Sequence, residues 1–276
     1  MIFDKIGIIT NEKKDPSFEH TKNLINYLSN KKNINIYTNE NYSEEDLYKT
    51  CNLFIVLGGD GTILKTAPKA SRYNIPVIGI NLGRIGFMSE IEADELYLLD
   101  NLFTGDYEIK SRMMLNVEII KEDGKISHAG TALNDAVVTH GVLAKLIEID
   151  VECDGVTITN YWADGVIAAT PTGSTAYSMS AGGPIIDPNI ECFCVTPICP
   201  HSLVNRPVIF SPASVLEIIN KSRKADVYLT IDGQVNIKLG ENDTVRIKKS
   251  EFTAKLIDIK KHGFFAVVRK KISENF

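Results

Sequence analysis

A chain of 276 residues with 44% hydrophobic and 24% charged side chains has an ordinary globular composition, which argues against disorder, collagen-like repeats and coiled-coil rods. The formal charge of −5 and a pI of about 5.6 argue against nucleic acid as a principal partner, because phosphate-backbone binding needs a basic surface. A small polyanionic ligand stays open, since a pocket can be locally positive on an acidic protein.

Five cysteines, at 51, 153, 192, 194 and 199, are an odd and sparse set, not a disulfide framework, in a chain long enough to bury a large core. The first residues, MIFDKIGIIT, lack a basic region ahead of a long apolar stretch. No apolar run approaches the roughly 18–20 residues that cross a bilayer. The sequence therefore reads as that of a soluble, reduced, cytoplasmic protein with no membrane partner. Its length favours two domains.

In chain order, Ile6 to Ile9 is a short β-branched run. Residues 16–31 carry apolar positions at Phe18, Leu24, Ile25 and Leu28 and predict a helix. A strand at 33–37 and a short helix at 43–48, with Ser43 as N-cap, follow. Leu53 to Leu57 is continuously apolar and bounded by glycines, as in a strand buried on both faces. A helix over 62–70 and a buried strand over 75–80 complete an alternation that predicts a parallel sheet flanked by helices. Beyond about residue 105 the texture turns strand-rich, punctuated by Asp-Gly at 123–124, 154–155, 164–165 and 232–233, a hairpin signal because both residues tolerate positive φ. The expectation is an α/β N-terminal domain over 1–105 and a mainly-β C-terminal domain over 106–276, with about the last 15 residues packing back on the first domain.

The most distinctive local motif is Leu57-Gly58-Gly59-Asp60-Gly61-Thr62, between a predicted strand and a predicted helix. Backbone N–H groups there face an anion, and glycines let the main chain turn sharply and approach a phosphate. Asp60 is unusual, because a carboxylate among phosphates repels them unless it holds a metal or takes a proton from an attacking hydroxyl; the plainer alternative is a helix N-cap. No G-x-x-x-x-G-K-[ST] and no G-x-G-x-x-G spacing occurs.

A second stretch, Thr170 to Pro184, puts six hydroxyl residues and three glycines after the apolar run Val166 to Ala169. It offers small donors and acceptors to a polar ligand, with Tyr177 placed to stack on a base; the alternative is a capped helix followed by a Gly-Gly-Pro stop. Asn134-Asp135 suits a ligand with base edges and ribose hydroxyls, or else is a turn pair. Asp164-Gly165 is equally a hairpin turn or a site carboxylate. Cys192, Cys194, Cys199 and His201 supply four zinc-type donors in ten residues. Their spacing is not that of zinc knuckles, and Cys192 and Cys194 fall in a strand-like run where buried cysteines are common.

Taken together, these segments resemble the NAD kinase family. The match runs in order through Gly58 to Thr62, Gly79-Ile80-Asn81-x-Gly83-x-x-Gly86-Phe87, Asn134-Asp135, Thr170 to Pro184, Pro197-x-Cys199-Pro200-His201 with Arg206-Pro207, and Asp232-Gly233-Gln234. Lipid kinases and phosphofructokinases share the first segment; the Thr-Pro-Thr-Gly-Ser-Thr-Ala-Tyr stretch is much more specific. The resemblance implies ATP-dependent phosphorylation of the adenosine-ribose 2′-hydroxyl of NAD, with a divalent metal such as Mg²⁺ accompanying ATP and no dedicated protein metal site. It also implies a substrate site between the two domains and a homodimer or homotetramer.

By position, the resemblance makes Asp60 the proton acceptor and Gly58, Gly59, Gly61 and Thr62 the phosphate loop, with Lys65 a basic residue facing phosphate. Asn134 and Asp135 match the dinucleotide-binding pair. Thr172 lies in the same specific stretch, and Thr175, Ala176, Tyr177, Ser178, Met179 and Ser180 match the segment that holds adenine and the nicotinamide end. Asp164, Cys199 and Gln234 match further substrate contacts, and Lys145 falls near a basic position. Trp162 departs from the pattern, standing where many members carry Arg or Lys. Two rival functions share parts of this pattern: a diacylglycerol- or sphingosine-type lipid kinase, and a non-catalytic NAD(P)-sensing module.

Overall fold

The computed structural model describes residues 3–83, 86–141, 145–201, 206–223, 225–261 and 263–274. The chain divides into two compact units, Met1–Arg112 with Ala254–Phe276, and Met113–Thr253.

The first unit opens with β1 (Lys5–Thr10), α1 (Glu19–Ser29), β2 (Asn35–Thr38), α2 (Glu44–Thr50), β3 (Leu53–Gly58), α3 (Asp60–Arg72) and β4 (Val77–Asn81). The short β5 (Ile91–Glu92), α4 (Asp100–Thr104) and β6 (Glu108–Arg112) follow. Every residue of β3 and β4 is buried, as a parallel sheet covered on both faces requires. Leu24 and Leu28 of α1 pack with Ile6, Ile8, Leu53, Ile55, Leu57, Ile78 and Ile80 in one apolar cluster. Ser43 caps α2, its hydroxyl accepting the Asp46 N–H at 3.2 Å.

Strand order is β2-β1-β3-β4, with parallel pairing throughout this run. The chain moves one way from β1 to β2 and the other way from β3 to β4, which leaves a topological switch between β1 and β3. In open parallel sheets ligands bind beyond the carboxyl ends of the strands at such a switch.

The second unit is a sandwich of two six-stranded antiparallel sheets. Its strands are β7 (Leu115–Ile120), β8 (Ile126–Ala132), β9 (Asp135–His140), β10 (Ile147–Cys153), β11 (Val156–Ala163), β12 (Gly165–Ala169), β13 (Phe193–Ile198), β14 (Val208–Phe210), β15 (Leu216–Asn220), β16 (Val227–Ile231), β17 (Val235–Leu239) and β18 (Thr244–Lys249), with a short helix α5 (Tyr177–Ser180). One sheet runs β11-β10-β15-β18-β7-β8 and the other β14-β13-β12-β9-β16-β17. Alternate side chains interleave between them: Val117, Ile149, Ile218 and Ile247 from the first, Val138, Val166, Val195 and Leu229 from the second. The outer face of the first sheet is polar, with cross-strand pairs such as Arg246–Glu217 and Lys248–Glu118.

The chain then returns to the first unit as β19 (Ala254–Asp258), parallel to β4 and antiparallel to β6, and ends in α6 (Phe264–Glu274). The division thus falls at Arg112, not at 105. The returning segment begins at Ala254 and brings a sheet strand, because β19 bridges β4 and β6 within the sheet.

Three of the four Asp-Gly pairs close hairpins: Gly124 (φ 82°), Asp154-Gly155 (52°, 78°) and Asp232-Gly233 (49°, 66°). Asp164-Gly165 does not. Gly165 opens β12 and is already paired with β9, where a Cβ would sit 2.4 Å from the Val138 carbonyl oxygen. Its missing side chain admits the neighbouring strand.

Candidate functional site

The strand β3 delivers Gly58 to the carboxyl edge of the first sheet, Gly59 is the N-cap of α3, and Asp60 is the first helical residue. Gly59 has φ −166°, extended backbone that any residue adopts, and none of Gly58, Gly59 and Gly61 lies in the left-handed region. The sharp turn expected of these glycines is therefore not what they supply. A Cβ at Gly58 would meet the Thr62 hydroxyl at 2.4 Å, one at Gly59 would meet the Lys14 ammonium at 2.6 Å, and one at Gly61 would meet nothing within 4 Å. They supply space: two positions admit neighbouring side chains, and the third leaves the first turn of the helix open.

Asp60 is not the N-cap. Its Oδ2 accepts the Phe87 N–H at 2.7 Å; its Oδ1 accepts the Met88 N–H at 3.1 Å and the Ser89 hydroxyl at 3.3 Å. A Cβ on Gly86 would fall 1.9 Å from Oδ1, so glycine at 86 is what lets this loop reach the carboxylate. A carboxylate has about four lone-pair sites. Among the described residues, two bonds on Oδ1 and one on Oδ2 leave an acceptor position on Oδ2.

Thr62 is buried and accepts a hydrogen bond from the Asn11 amide at 3.1 Å; its hydroxyl ties the helix start to the loop after β1. Lys65 is exposed, one turn beyond Gly61 on the same helix face. Sequence reasoning missed Lys14, which reaches the turn from the loop after β1, its Nζ 3.4 Å from the Gly58 carbonyl oxygen. A lysine in a polar loop carries no signal of such a placement.

In the second unit a cavity of about 400 Å³ opens on the outer face of the second sheet. Asp135, Val137 and Thr139 are alternate residues of β9, and Thr230 of β16 pairs with Val137; the period of two puts them on one face. Asn134, Asp232, Gly233, Ala176 and Tyr177 complete the wall. Asp232 accepts N–H bonds from Leu133 (2.8 Å), Asn134 (2.8 Å) and Asp135 (3.0 Å), clamping the Asn134-Asp135 backbone.

Burial pushes the Asp135 carboxyl up to about 7, with the neighbouring Asp232 charge adding to it. Burial likewise raises Asp232, to about 6, against the pull of its three N–H donors. Asn134 Oδ1 is buried without a donor among the described residues. A buried acceptor left open in a cavity wall is a position for a ligand's donor.

Most hydroxyls of the 170–180 stretch turn inward. Thr170 donates to the Leu133 carbonyl at 2.6 Å, Ser174 to the Pro171 carbonyl at 2.7 Å, and Ser178 meets the Thr196 hydroxyl at 3.0 Å. Thr172 and Thr175 lie in a 3-10 turn, where Thr175 bonds the Thr172 carbonyl. The stretch is thus largely a device for holding Ala176 and Tyr177, the latter 45% exposed, at the cavity. Met179 and Ser180 are exposed beside it and outside its lining, and Gln234 is exposed one residue past Gly233.

Asp164 lies 3.7 Å from His140 Nε2. Trp162 and Cys199 are exposed, Cys199 at φ 44°, and Lys145 is exposed. Cys192 and Cys194 are buried, their thiols pushed up by burial. Among the described residues no three His, Cys, Asp or Glu side chains converge as metal ligands.

A parallel-sheet unit joined in sequence to an antiparallel sandwich is the fold shared with solved NAD kinases. The chain superposes on yeast NADH kinase complexed with NADH with a TM-score of 0.85 (27% identity, 93% of this chain, 83% of that one). It superposes on an NAD kinase from Archaeoglobus fulgidus in complex with ATP with a TM-score of 0.74 (26% identity, 98% of both). Family models of the ATP-NAD kinase N-terminal domain and C-terminal domain match residues 31–107 and 133–259. An NAD kinase of Thermoanaerobacter pseudethanolicus is 39% identical over 98% of this chain and 99% of its own. That of Geobacter sulfurreducens is 42% identical over 83% of this chain and 80% of its own. The chain belongs to the NAD kinase family.

Proposed function

We propose that this protein transfers the γ-phosphoryl group of ATP to the adenosine-ribose 2′-hydroxyl of NAD, giving NADP and ADP. The observation that carries this reading is Asp60, an acid at the first position of a helix whose glycine approach is open, held by three donors yet, among the described residues, retaining an acceptor position on Oδ2. A ribose hydroxyl is a weak nucleophile. As its oxygen bonds to phosphorus and the bond to the ADP leaving oxygen breaks, Asp60 takes the proton.

The phosphates would lie against Gly58, Gly59 and Gly61, where backbone N–H groups and the helix dipole favour negative charge, with Lys65 on the same helix face. The dinucleotide would use Asn134, Asp135, Ala176 and Tyr177, with Thr172, Thr175, Ser178, Met179, Ser180, Asp164, Cys199, Gln234, Lys145 and Trp162 as further family-matched contacts. A divalent cation fits this residue set as part of the metal–ATP substrate, not in a protein cage; there it offsets phosphate charge. We further propose a cytoplasmic homo-oligomer, a homodimer or homotetramer. The exposed apolar side chains Val156, Ile158 and Trp162 on the edge strand β11 support association.

The test is NADP formation by purified protein, varying donor, metal and acceptor. Formation of NADP with metal–ATP supports the reading. A phosphorylated diacylglycerol or sphingosine product in place of NADP, or tight NADP binding with no transfer under any donor, overturns it.

A further inference from the structure

We propose that Lys14 is a binding residue for the phosphate chain of the donor nucleotide, a role resting on the kinase reading above. The Asn11 to Asp15 loop leaves the carboxyl end of β1 and the glycine turn leaves that of β3, so Lys14 stands over the topological switch of the sheet. Its position is built by the fold. Asn11 N–H donates to the Leu57 carbonyl at 2.9 Å, and Lys14 and Asp15 N–H donate to the Asn11 carbonyl at 2.9 and 3.0 Å. The buried Asp15 carboxylate then accepts from Thr21 N–H and hydroxyl at 2.9 and 2.7 Å, tying the loop to α1.

From this base the ammonium lies between two glycines. A Cβ would approach it to 2.6 Å at Gly59 and 3.4 Å at Gly83. Among the described residues it has no carboxylate partner, only the long 3.4 Å contact to the Gly58 carbonyl. A cation set over an open helix start without a counter-charge has its three donors available to an anion.

A second observation points the same way. Asn81 is 2% exposed, and its Oδ1 has no donor among the described residues. It pairs in register with Gly58. Gly79, two residues earlier on the same strand face, would contact Ile63 of α3, so Asn81 faces the helix start as well. The side-chain amide donates to the Gly83 carbonyl and to Glu92 at 2.8 and 2.9 Å, which leaves the oxygen for a donor from a bound group. A phosphate chain with its hydrated cation brings both anionic oxygens for Lys14 and water donors for Asn81. The 2′-phosphate of NADP is the other anion with this chemistry, and the experiment separates the two.

The experiment titrates full-length wild type, Lys14→Ala, Lys14→Arg and the neighbouring Lys13→Ala with inorganic tripolyphosphate, metal–ATP and NADP, and measures KM for ATP and for NAD. Lys14→Ala is expected to weaken tripolyphosphate and ATP binding and to raise the KM for ATP roughly 10–100-fold. NAD and NADP affinities hold, Lys14→Arg recovers most of the loss, and Lys13→Ala matches wild type.

Equal tripolyphosphate affinity in wild type and Lys14→Ala, or no binding by either, overturns the assignment, as does a loss confined to NADP. Circular dichroism of each variant reports folding, and recovery by Lys14→Arg separates charge from structure. If wild type forms NADP while Lys14→Ala keeps its KM for ATP, only the Lys14 assignment falls. If wild type binds tripolyphosphate through Lys14 yet forms no NADP, only the kinase reading falls.

Discussion

Asp60 in the first unit receives three hydrogen bonds from the loop at 87–89. Asp135 in the second receives none among the described residues and sits 5% exposed in the floor of a cavity, facing the charge of Asp232. The neighbours of Asp60 keep its side chain in one orientation. Those of Asp135 leave it short of partners, so that burial holds its carboxyl near neutrality. Positioning costs little when backbone donors do it; an unfilled acceptor in a cavity costs stability until a ligand supplies donors. The contrast matches the roles proposed for them, a proton acceptor that must not move and a ligand contact that gains from being filled.

The largest expected effect tests the first half of this contrast. Asp60→Asn keeps the size of the side chain and removes the proton acceptor, so kcat falls roughly 10²–10⁴-fold while ATP and NAD dissociation constants stay close to wild type. Steady-state kinetics with calorimetric titration of each substrate checks it. Near-normal kcat would mean that the acid only holds its loop.

Asp135→Asn probes the other half. An unfolded aspartate titrates near about 3.9, whereas Asp135 in the fold is raised to about 7. Between these values the folded state binds the extra proton, so this group's contribution to stability is greatest at the acid end and declines as pH rises toward 7. Replacing it by Asn removes the penalty. The variant should gain up to about 4 kcal/mol over wild type at pH 8, a Tm rise of several degrees or more, and the gain should vanish toward pH 4. NAD affinity should fall about tenfold or more at pH 8. In wild type it should weaken below pH 7 as the acceptor is protonated, a dependence absent from the variant. Calorimetric melts and NAD titrations across pH 4–8 read both; a variant that is less stable at pH 8 would break the contrast.

What the sequence made legible followed from local physics. The apolar run before Gly58 is a strand buried on both faces because nothing polar interrupts it, and Asp232-Gly233 closes β16 onto β17 because both residues adopt positive φ. Asp164-Gly165 shows the same dipeptide failing when the glycine is needed to admit a neighbouring strand. The return of β19 to the first sheet was hidden, since its pairing with β4 joins Leu256 to Val77, far beyond the reach of any periodicity. The hydroxyls of 170–180 read as ligand donors, yet the structure spends Thr170, Ser174 and Thr175 on backbone carbonyls and Ser178 on the Thr196 hydroxyl; for Thr170 and Ser178 the partner is distant in sequence and out of reach of any local pattern.

The smallest effect asks whether the glycines of the first unit serve space or conformation. A methyl at Gly61 would touch nothing within 4 Å, whereas one at Gly173 would sit 2.1 Å from the Asn134 carbonyl oxygen. Gly61 lies in α3 outside the left-handed region, so alanine there should leave the fold intact and stabilise it by about 0.5–1 kcal/mol through helix propensity. If the phosphate chain approaches this turn as proposed, the same methyl intrudes on it, and the KM for ATP rises several-fold while NAD affinity is untouched. Gly173→Ala should do the reverse, lowering Tm and disturbing the cavity at Asn134. Thermal melts and KM values for the pair decide it. A stabilised Gly61→Ala with unchanged KM for ATP would show that the open helix start is not where phosphate lies.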